Sequence, residues 1–203
     1  MALDHSCQVQ RSPYSERGLD LYETPSVAVE ALLRVEQLPH RIWEPACGRG
    51  AIVNVLRAHG HEVVASDLMN YGVPITAPGY YGVDFLMERR APVGTQAIVT
   101  NPPFMLAEQF IAHAIDLCPL VIMLLRLAFF EAGSGRTKKA ALRRYVLDEN
   151  PPARIYVFRR RLPMLHRDGW EGRKANSGMA LSWWIWDRAH SGPTIIDRVS
   201  WER

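Results

Sequence analysis

Asn101-Pro102-Pro103-Phe104 is the stretch of this chain best equipped for chemistry. Proline has no N–H and a fixed φ, so two in succession make a stiff corner that offers carbonyls and few donors. The Asn101 side-chain oxygen and the Pro102 carbonyl are two acceptors able to face one pocket, with the Phe104 ring beside them. Such a set suits a planar amide or amine, for example the exocyclic nitrogen of adenine. That amine is a poor nucleophile, because its lone pair delocalises into the ring. Accepting both its hydrogens favours a pyramidal nitrogen and aims the lone pair. The corner therefore supplies orientation and electrostatics rather than a strong base. Phe104 is expected to stack on the target ring. Stacking is worth about 1–3 kcal/mol per base, comparable with the cost of about a few kcal/mol for extruding a base from a duplex. The bland alternative is a strand-ending turn with a buried Phe.

A second candidate lies upstream, at Glu44-Pro45-Ala46-Cys47-Gly48-Arg49-Gly50. Gly48 and Gly50 let the backbone pass close to a ligand, and the helix that follows presents N–H groups at its start. Taken alone, Gly-x-Gly also describes an ordinary strand-to-helix turn. Val53 stands where a dinucleotide fingerprint has its third glycine, which disfavours NAD. Asp67 ends the next apolar run, where a carboxylate can accept both hydrogens of a ribose diol.

These residues need strands and helices to hold them. Thr24-Pro25 followed by Val27 to Leu33 predicts a helix start. Strands are expected at 41–44, 61–66, 96–100, 119–127, 154–158 and 179–186, with a short extended piece at 83–86. Helices are expected at about 50–58, 106–117 and 136–147. Residues 69–82 and 159–177 are expected to be loops. Strands alternating with helices point to a parallel sheet covered on both faces. The run Val121 to Leu125 is apolar on both sides, as a central strand should be. The last two strands have no obvious helix between them and are expected to pair antiparallel. Residues 1–20 read as a loose arm, and 21–203 as one domain.

The cofactor turn followed by the Asn-Pro-Pro-Phe corner resembles the class I S-adenosylmethionine (SAM)-dependent methyltransferases that modify amino nitrogens. The N6-adenine DNA methyltransferases are the nearest of these, and the small phage-encoded ones bear a looser likeness beyond Ala128. The resemblance implies an α/β, Rossmann-like fold: a mostly parallel seven-stranded sheet, helices on both faces and an antiparallel edge strand. It implies SAM as cofactor and Asn101, Pro102, Pro103 and Phe104 as the catalytic set. It places Glu44, Ala46, Cys47, Gly48 and Gly50 at the methionine end, Asp67 on the ribose, and Asp84-Phe85 on adenine. A turn Asp and a core Phe are the alternative for that last pair. Tyr22, Thr24 and Pro25 resemble the N-terminal motif contacting the methionine part; by itself Thr24-Pro25 is only a helix start. Asn101 would also touch the cofactor. Many DNA enzymes of this kind carry Asp and Tyr where this chain has Asn101 and Phe104. The Asn form also occurs in RNA adenine and protein-glutamine methyltransferases, so these stay open, as does a non-catalytic SAM- or nucleic-acid-binding module.

Charge adds a partner. Among 203 residues the net charge is +3, yet residues 133–174 hold twelve Lys or Arg against four Asp or Glu. Arg136, Lys138, Lys139, Arg143, Arg144, Arg159, Arg160, Arg161, Arg173 and Lys174 are the expected phosphate-contacting residues, in DNA first and RNA second. A solvated Arg-rich surface is the alternative. The sequence Gly133 to Lys138 lacks the Gly-Lys-Ser/Thr order of a phosphate loop, which argues against an ATPase. Three dispersed cysteines and seven His without ligand spacing suggest neither a disulfide framework nor a metal site. No apolar run is long enough for a membrane span, and the start does not read as a secretory signal, so a cytoplasmic location is expected. The assembly is left open between monomer and homodimer.

Overall fold

The computed structural model describes residues 23–72, 79–131, 136–163 and 179–202. Helix α1 (Ser26–Val35) begins directly after Pro25, whose carbonyl accepts from the Ala28 N–H at 2.9 Å. Its buried face is Ala28, Val29, Ala31 and Leu32, the i, i+3, i+4 spacing of an amphipathic helix. Strand β1 (Arg41–Glu44) leads into helix α2 (Ala51–Ala58), which buries Ile52, Val53 and Leu56. Strands β2 (Glu62–Asp67), β3 (Gly79–Tyr81) and β4 (Ala97–Thr100) follow, then helix α3 (Ala107–Leu117) and strand β5 (Leu120–Arg126). Helix α4 (Lys138–Arg144) runs into a π-helical turn at Tyr145–Glu149, and β6 (Arg154–Phe158), β7 (Leu181–Asp187) and β8 (Ile195–Val199) complete the sheet.

The eight strands lie in the order β3-β2-β1-β4-β5-β7-β6-β8. Strands β1 to β5 pair parallel, and β7 runs antiparallel to both β5 and β6. Alternate residues of each central strand feed two separate cores. On one face Ile122, Leu124, Trp183 and Ile185 pack with α1 and α2. On the other, Val121, Met123, Leu125, Trp184 and Trp186 pack with α3 and the π-helical turn. This is a doubly covered, Rossmann-like α/β fold.

Four buried tryptophans tie the layers together, and each indole N–H has a partner. Trp43 donates to Ser66 Oγ, Trp183 to Ala28 O, Trp184 to Ser182 Oγ and Trp186 to Val146 O, at 2.8–3.0 Å. A buried donor without an acceptor would cost about 1–3 kcal/mol, so these bonds decide where such large rings can sit.

Four expectations need correction. The sheet has eight strands rather than seven. The extended piece at 83–86 is instead a 3₁₀ turn over Phe85–Met87, capped by Asp84 Oδ1 accepting from the Leu86 N–H. Strands β3 and β8 were not foreseen, because one is three residues long and the other exposes Ile195 and Ile196. The antiparallel strand is not at the edge. Leu181 to Trp186 are all buried, and a strand apolar on both faces is stable only with neighbours on each side. Strand β8, exposed over four of its five residues, takes the edge.

Candidate active site

The chain crosses the sheet between β1 and β4, with β2 and β3 on one side and β5 on the other. Ligands of open α/β sheets bind beyond the strand ends at such a switch point. A cavity of about 200 Å³ lies there. Thr24, Glu44, Ala46, Cys47, Gly48, Asp67, Asp84, Phe85 and Asn101 to Phe104 all line it. Residues remote in sequence are thus gathered by the ends of three adjacent strands.

Glu44 closes β1 and is 1% exposed. Burial pushes its carboxyl well above the usual range, and the nearby negative charge of Asp67 pushes the same way. Thr100 and the Asn101 N–H oppose that rise without cancelling it. Its Oε2 atom is buried with no hydrogen-bond partner among the described residues. An unpartnered buried acceptor on a cavity wall suits a ligand that brings positive charge or an N–H.

The turn after β1 is held by Asp67. Gly48 has φ 53° and donates its N–H to Asp67 Oδ2 at 2.8 Å, while Met69 N–H donates to Oδ1 at 2.8 Å. Gly50 has φ 84°, a left-handed conformation that disfavours other side chains, and directly precedes α2. The Cys47 N–H donates to Ser66 O at 3.0 Å, which ties the turn to β2. The Asp67 carboxyl is raised by burial, against the lowering from its N–H donors. A carboxylate has about four lone-pair sites, so the N–H groups of Gly48, Leu68 and Met69 around it leave part of its capacity for a ligand donor. Burial, with Glu44 and Asp67 close by, pushes the Cys47 thiol up to about 12, so it stays a thiol rather than a nucleophile.

Phe85 is 2% exposed and packs on Trp43, Phe110 and His113 at centroid distances of 4.8–5.2 Å. The core-Phe alternative therefore describes most of its surface, although the residue still borders the cavity. Asp84 is exposed and caps the following turn.

At the corner, Asn101 Nδ2 donates to Thr24 Oγ1 at 3.1 Å. With its N–H side engaged there, the amide turns its oxygen the other way. The Pro103 carbonyl accepts from the Leu106 N–H at 2.9 Å and so belongs to the 3₁₀ turn that follows. The Pro102 carbonyl lies outside that bond. The Arg126 guanidinium covers one face of Phe104, 4.3 Å from the ring centroid.

Pro25 and Gly50 shape the site from just outside the lining, and Tyr22 lies outside the described residues. So do Arg173 and Lys174. Of the other basic residues, Arg136, Lys138, Lys139, Arg144, Arg159, Arg160 and Arg161 are exposed. Arg143 is not a surface cation. It pairs with the fully buried Glu108, donates to Glu131 O at 2.8 Å and lies over Phe129. Lys139 also reaches Glu108, at 3.6 Å. No pattern in the sequence points to Glu108, which sits on the apolar face of α3, to Tyr71 on the cavity wall, or to Arg126 over Phe104 outside it.

No protein-family model and no curated protein matches the chain. Solved structures resemble it in fold. The modification subunit of a candidate type I restriction enzyme from Vibrio vulnificus is 14% identical, with TM-score 0.55, over 87% of this chain and 47% of that one. The chain therefore spans about half of that neighbour's length. A candidate RNA methyltransferase from Pyrococcus horikoshii is 15% identical, with TM-score 0.55, over 82% of this chain and 86% of that one. A candidate class I SAM-dependent methyltransferase from Listeria monocytogenes is 15% identical, with TM-score 0.52, over 87% and 64% respectively.

Proposed function

We propose that this chain is a SAM-dependent methyltransferase acting on the N6 amine of adenine in DNA, of the phage or restriction-modification type. One observation carries the reading: a single cavity is walled both by Glu44 and Asp67 and by the Asn101 corner. The residues fit SAM. Two buried carboxyls suit a ligand bearing a sulfonium and an ammonium, the unpartnered Glu44 Oε2 is an acceptor for it, and Asp67 retains lone pairs for a ribose. Gly48 and Gly50 would lie along the methionine part, and Asp84 and Phe85 would border the adenine.

Bound there, SAM supplies an electrophilic methyl carbon. The chain's own residues prepare the amine. Asn101 Oδ1 and the Pro102 carbonyl accept its two hydrogens, which localises the nitrogen lone pair. Neither acceptor is a base, so the surplus proton leaves to water. Thr24 fixes the direction of the Asn101 amide before substrate arrives, the preorganisation on which electrostatic catalysis depends. A base stacked on Phe104 would use the face turned away from Arg126.

The Asn101 and Phe104 pair, in place of Asp and Tyr, favours a second reading: an RNA adenine or protein-glutamine methyltransferase. The test is a labelled-methyl assay on DNA, RNA and peptide, followed by mass spectrometry of the digested product. Methylated deoxyadenosine is expected. Label only in RNA or glutamine selects the second reading. SAM binding without transfer to any of the three would leave a non-catalytic module.

A further inference from the structure

Arg126 stands apart from the ion-paired arginines of this chain. Arg41 pairs with Glu62, Arg143 with Glu108, Arg154 with Glu36 and Asp187, and Arg160 with Glu202. No carboxylate among the described residues pairs with Arg126, and its described partner is the Phe104 ring. The side chain is exposed, yet its backbone is rigidly held. Arg126 is opposite Leu181 in the β5–β7 ladder, and the next residue, Leu127, donates its N–H to Ala180 O at 2.8 Å.

Register explains why it stands there. The last pair between β4 and β5 is Thr100 with Met123. Beyond that pair β4 turns into the Asn-Pro-Pro corner, while β5 runs straight on through Leu124 and Leu125 to Arg126. The guanidinium is thereby delivered beside Phe104. A cation that satisfies its charge on a π face keeps N–H donors for a second partner. The chemistry of that partner follows from the surroundings. The cavity wall carries four acids, Glu23, Glu44, Asp67 and Asp84, and one cation, Arg49, and Arg126 does not line it. Acids thus outnumber cations within the cavity, and a further guanidinium stands on the flank of its aromatic wall.

We infer that Arg126 is a substrate-binding residue, gripping a phosphodiester next to the base that Phe104 receives. Its planar fork of donors matches two phosphate oxygens, which a lysine cannot do. This rests on the proposed function and narrows it, because a glutamine side chain in a protein brings no such anion.

The experiment measures methyl transfer by the full chain, and its Arg126→Gln and Arg126→Lys variants, on one adenine-containing sequence made as DNA and as RNA. A glutamine-containing peptide is the third substrate, and binding to the two oligonucleotides is followed against salt. Arg126→Gln is expected to raise KM for the accepted oligonucleotide roughly tenfold with a smaller change in kcat. Its log–log salt slope should fall by about 0.9 on duplex DNA, or about 0.7 on a single strand. Arg126→Lys should recover the slope but not the whole of KM. Whichever of DNA and RNA responds is the source of the phosphodiester. A drop in kcat with KM and salt slope unchanged would mean that the guanidinium only props Phe104, and would overturn the inference. Transfer to the peptide, unaffected by Arg126→Gln, would overturn it as well. Failure of the wild-type chain to methylate any substrate would instead sink the function on which it rests.

Discussion

Asn101 and Thr24 meet across 77 residues of sequence, amide N–H to hydroxyl at 3.1 Å. One residue follows β4 and the other precedes α1, so the bond fastens the Asn-Pro-Pro corner to the segment that leads into α1. Replacing Thr24 by Val keeps the volume and removes the acceptor. A neutral hydrogen bond is worth about 0.5–1.5 kcal/mol, so Thr24→Val should slow methyl transfer by roughly threefold to tenfold. Asn101→Ala should cost about a hundredfold or more in kcat, because the acceptor itself is gone. SAM affinity, read by calorimetry, should stay close to wild type in both; its loss in Asn101→Ala would make Asn101 a cofactor residue instead.

Glu44 gives the site a pH signature. Its carboxyl is raised by burial, so the folded chain holds a proton that the unfolded chain has already released. Stability from this group therefore falls as pH rises from the ordinary carboxylate range toward the raised value. A cationic ligand favours the ionised form, so its binding expels that proton. SAM affinity should accordingly climb with pH across the same window, and calorimetry in buffers of different ionisation enthalpy should detect proton release. Glu44→Gln should flatten both trends. A wild-type affinity that does not vary with pH would remove the carboxyl from the cofactor's surroundings.

Asp67 accepts from Gly48 and Met69 at 2.8 Å each. In the proposed function it also receives a ribose hydroxyl. Asp67→Asn should weaken SAM by roughly tenfold to a hundredfold, since hydrogen bonds to a charged group are worth about 1.5–3 kcal/mol. Equilibrium binding checks this, and an unchanged dissociation constant would remove the ribose assignment.

Basic residues in one sequence block should separate by experiment into two kinds. Glu108 is fully buried, and Arg143 and Lys139 are its counter-charges. Glu108→Gln leaves Arg143 partly buried and without its carboxylate, and should cost about 3 kcal/mol of unfolding free energy in denaturant titrations. Arg143→Ala should be similarly destabilising. Neutralising Arg159 and Arg161 should leave stability nearly unchanged and reduce the log–log salt slope of DNA binding by about 0.9 for each phosphate no longer neutralised. A stable Arg143→Ala protein with a flattened salt slope would reverse this division.

The parts of the fold legible in the sequence are those whose signal is local. Strand β5 is an unbroken apolar run, α1 follows a Thr-Pro start, and the corner and glycine turn are set by proline and glycine stereochemistry. Their convergence on one cavity follows from the rule for strand ends. What the sequence hides depends on interactions between distant segments. The charge of Arg143 looks like surface because its partner, Glu108, lies 35 residues upstream on a face otherwise apolar. Arg126 looks like a strand end, and only the offset between β4 and β5 carries it to Phe104. Strand β8 is hidden because it is held by main-chain pairing with β6 and not by an apolar pattern.

The reversed strand in the middle of the sheet has a bearing on how the molecule is made. As the chain leaves the ribosome, β1 to β5 emerge first and can assemble in parallel, but β5 then presents an unprotected flank rich in Ile, Met and Leu. Its cover is β7, which is translated only after α4 and β6. Until β7 docks, the nascent chain carries a sticky border directly beside its Asn-Pro-Pro corner. The three indoles that β7 brings, those of Trp183, Trp184 and Trp186, act as a latch, and intrinsic tryptophan fluorescence should report the moment at which the assembly closes.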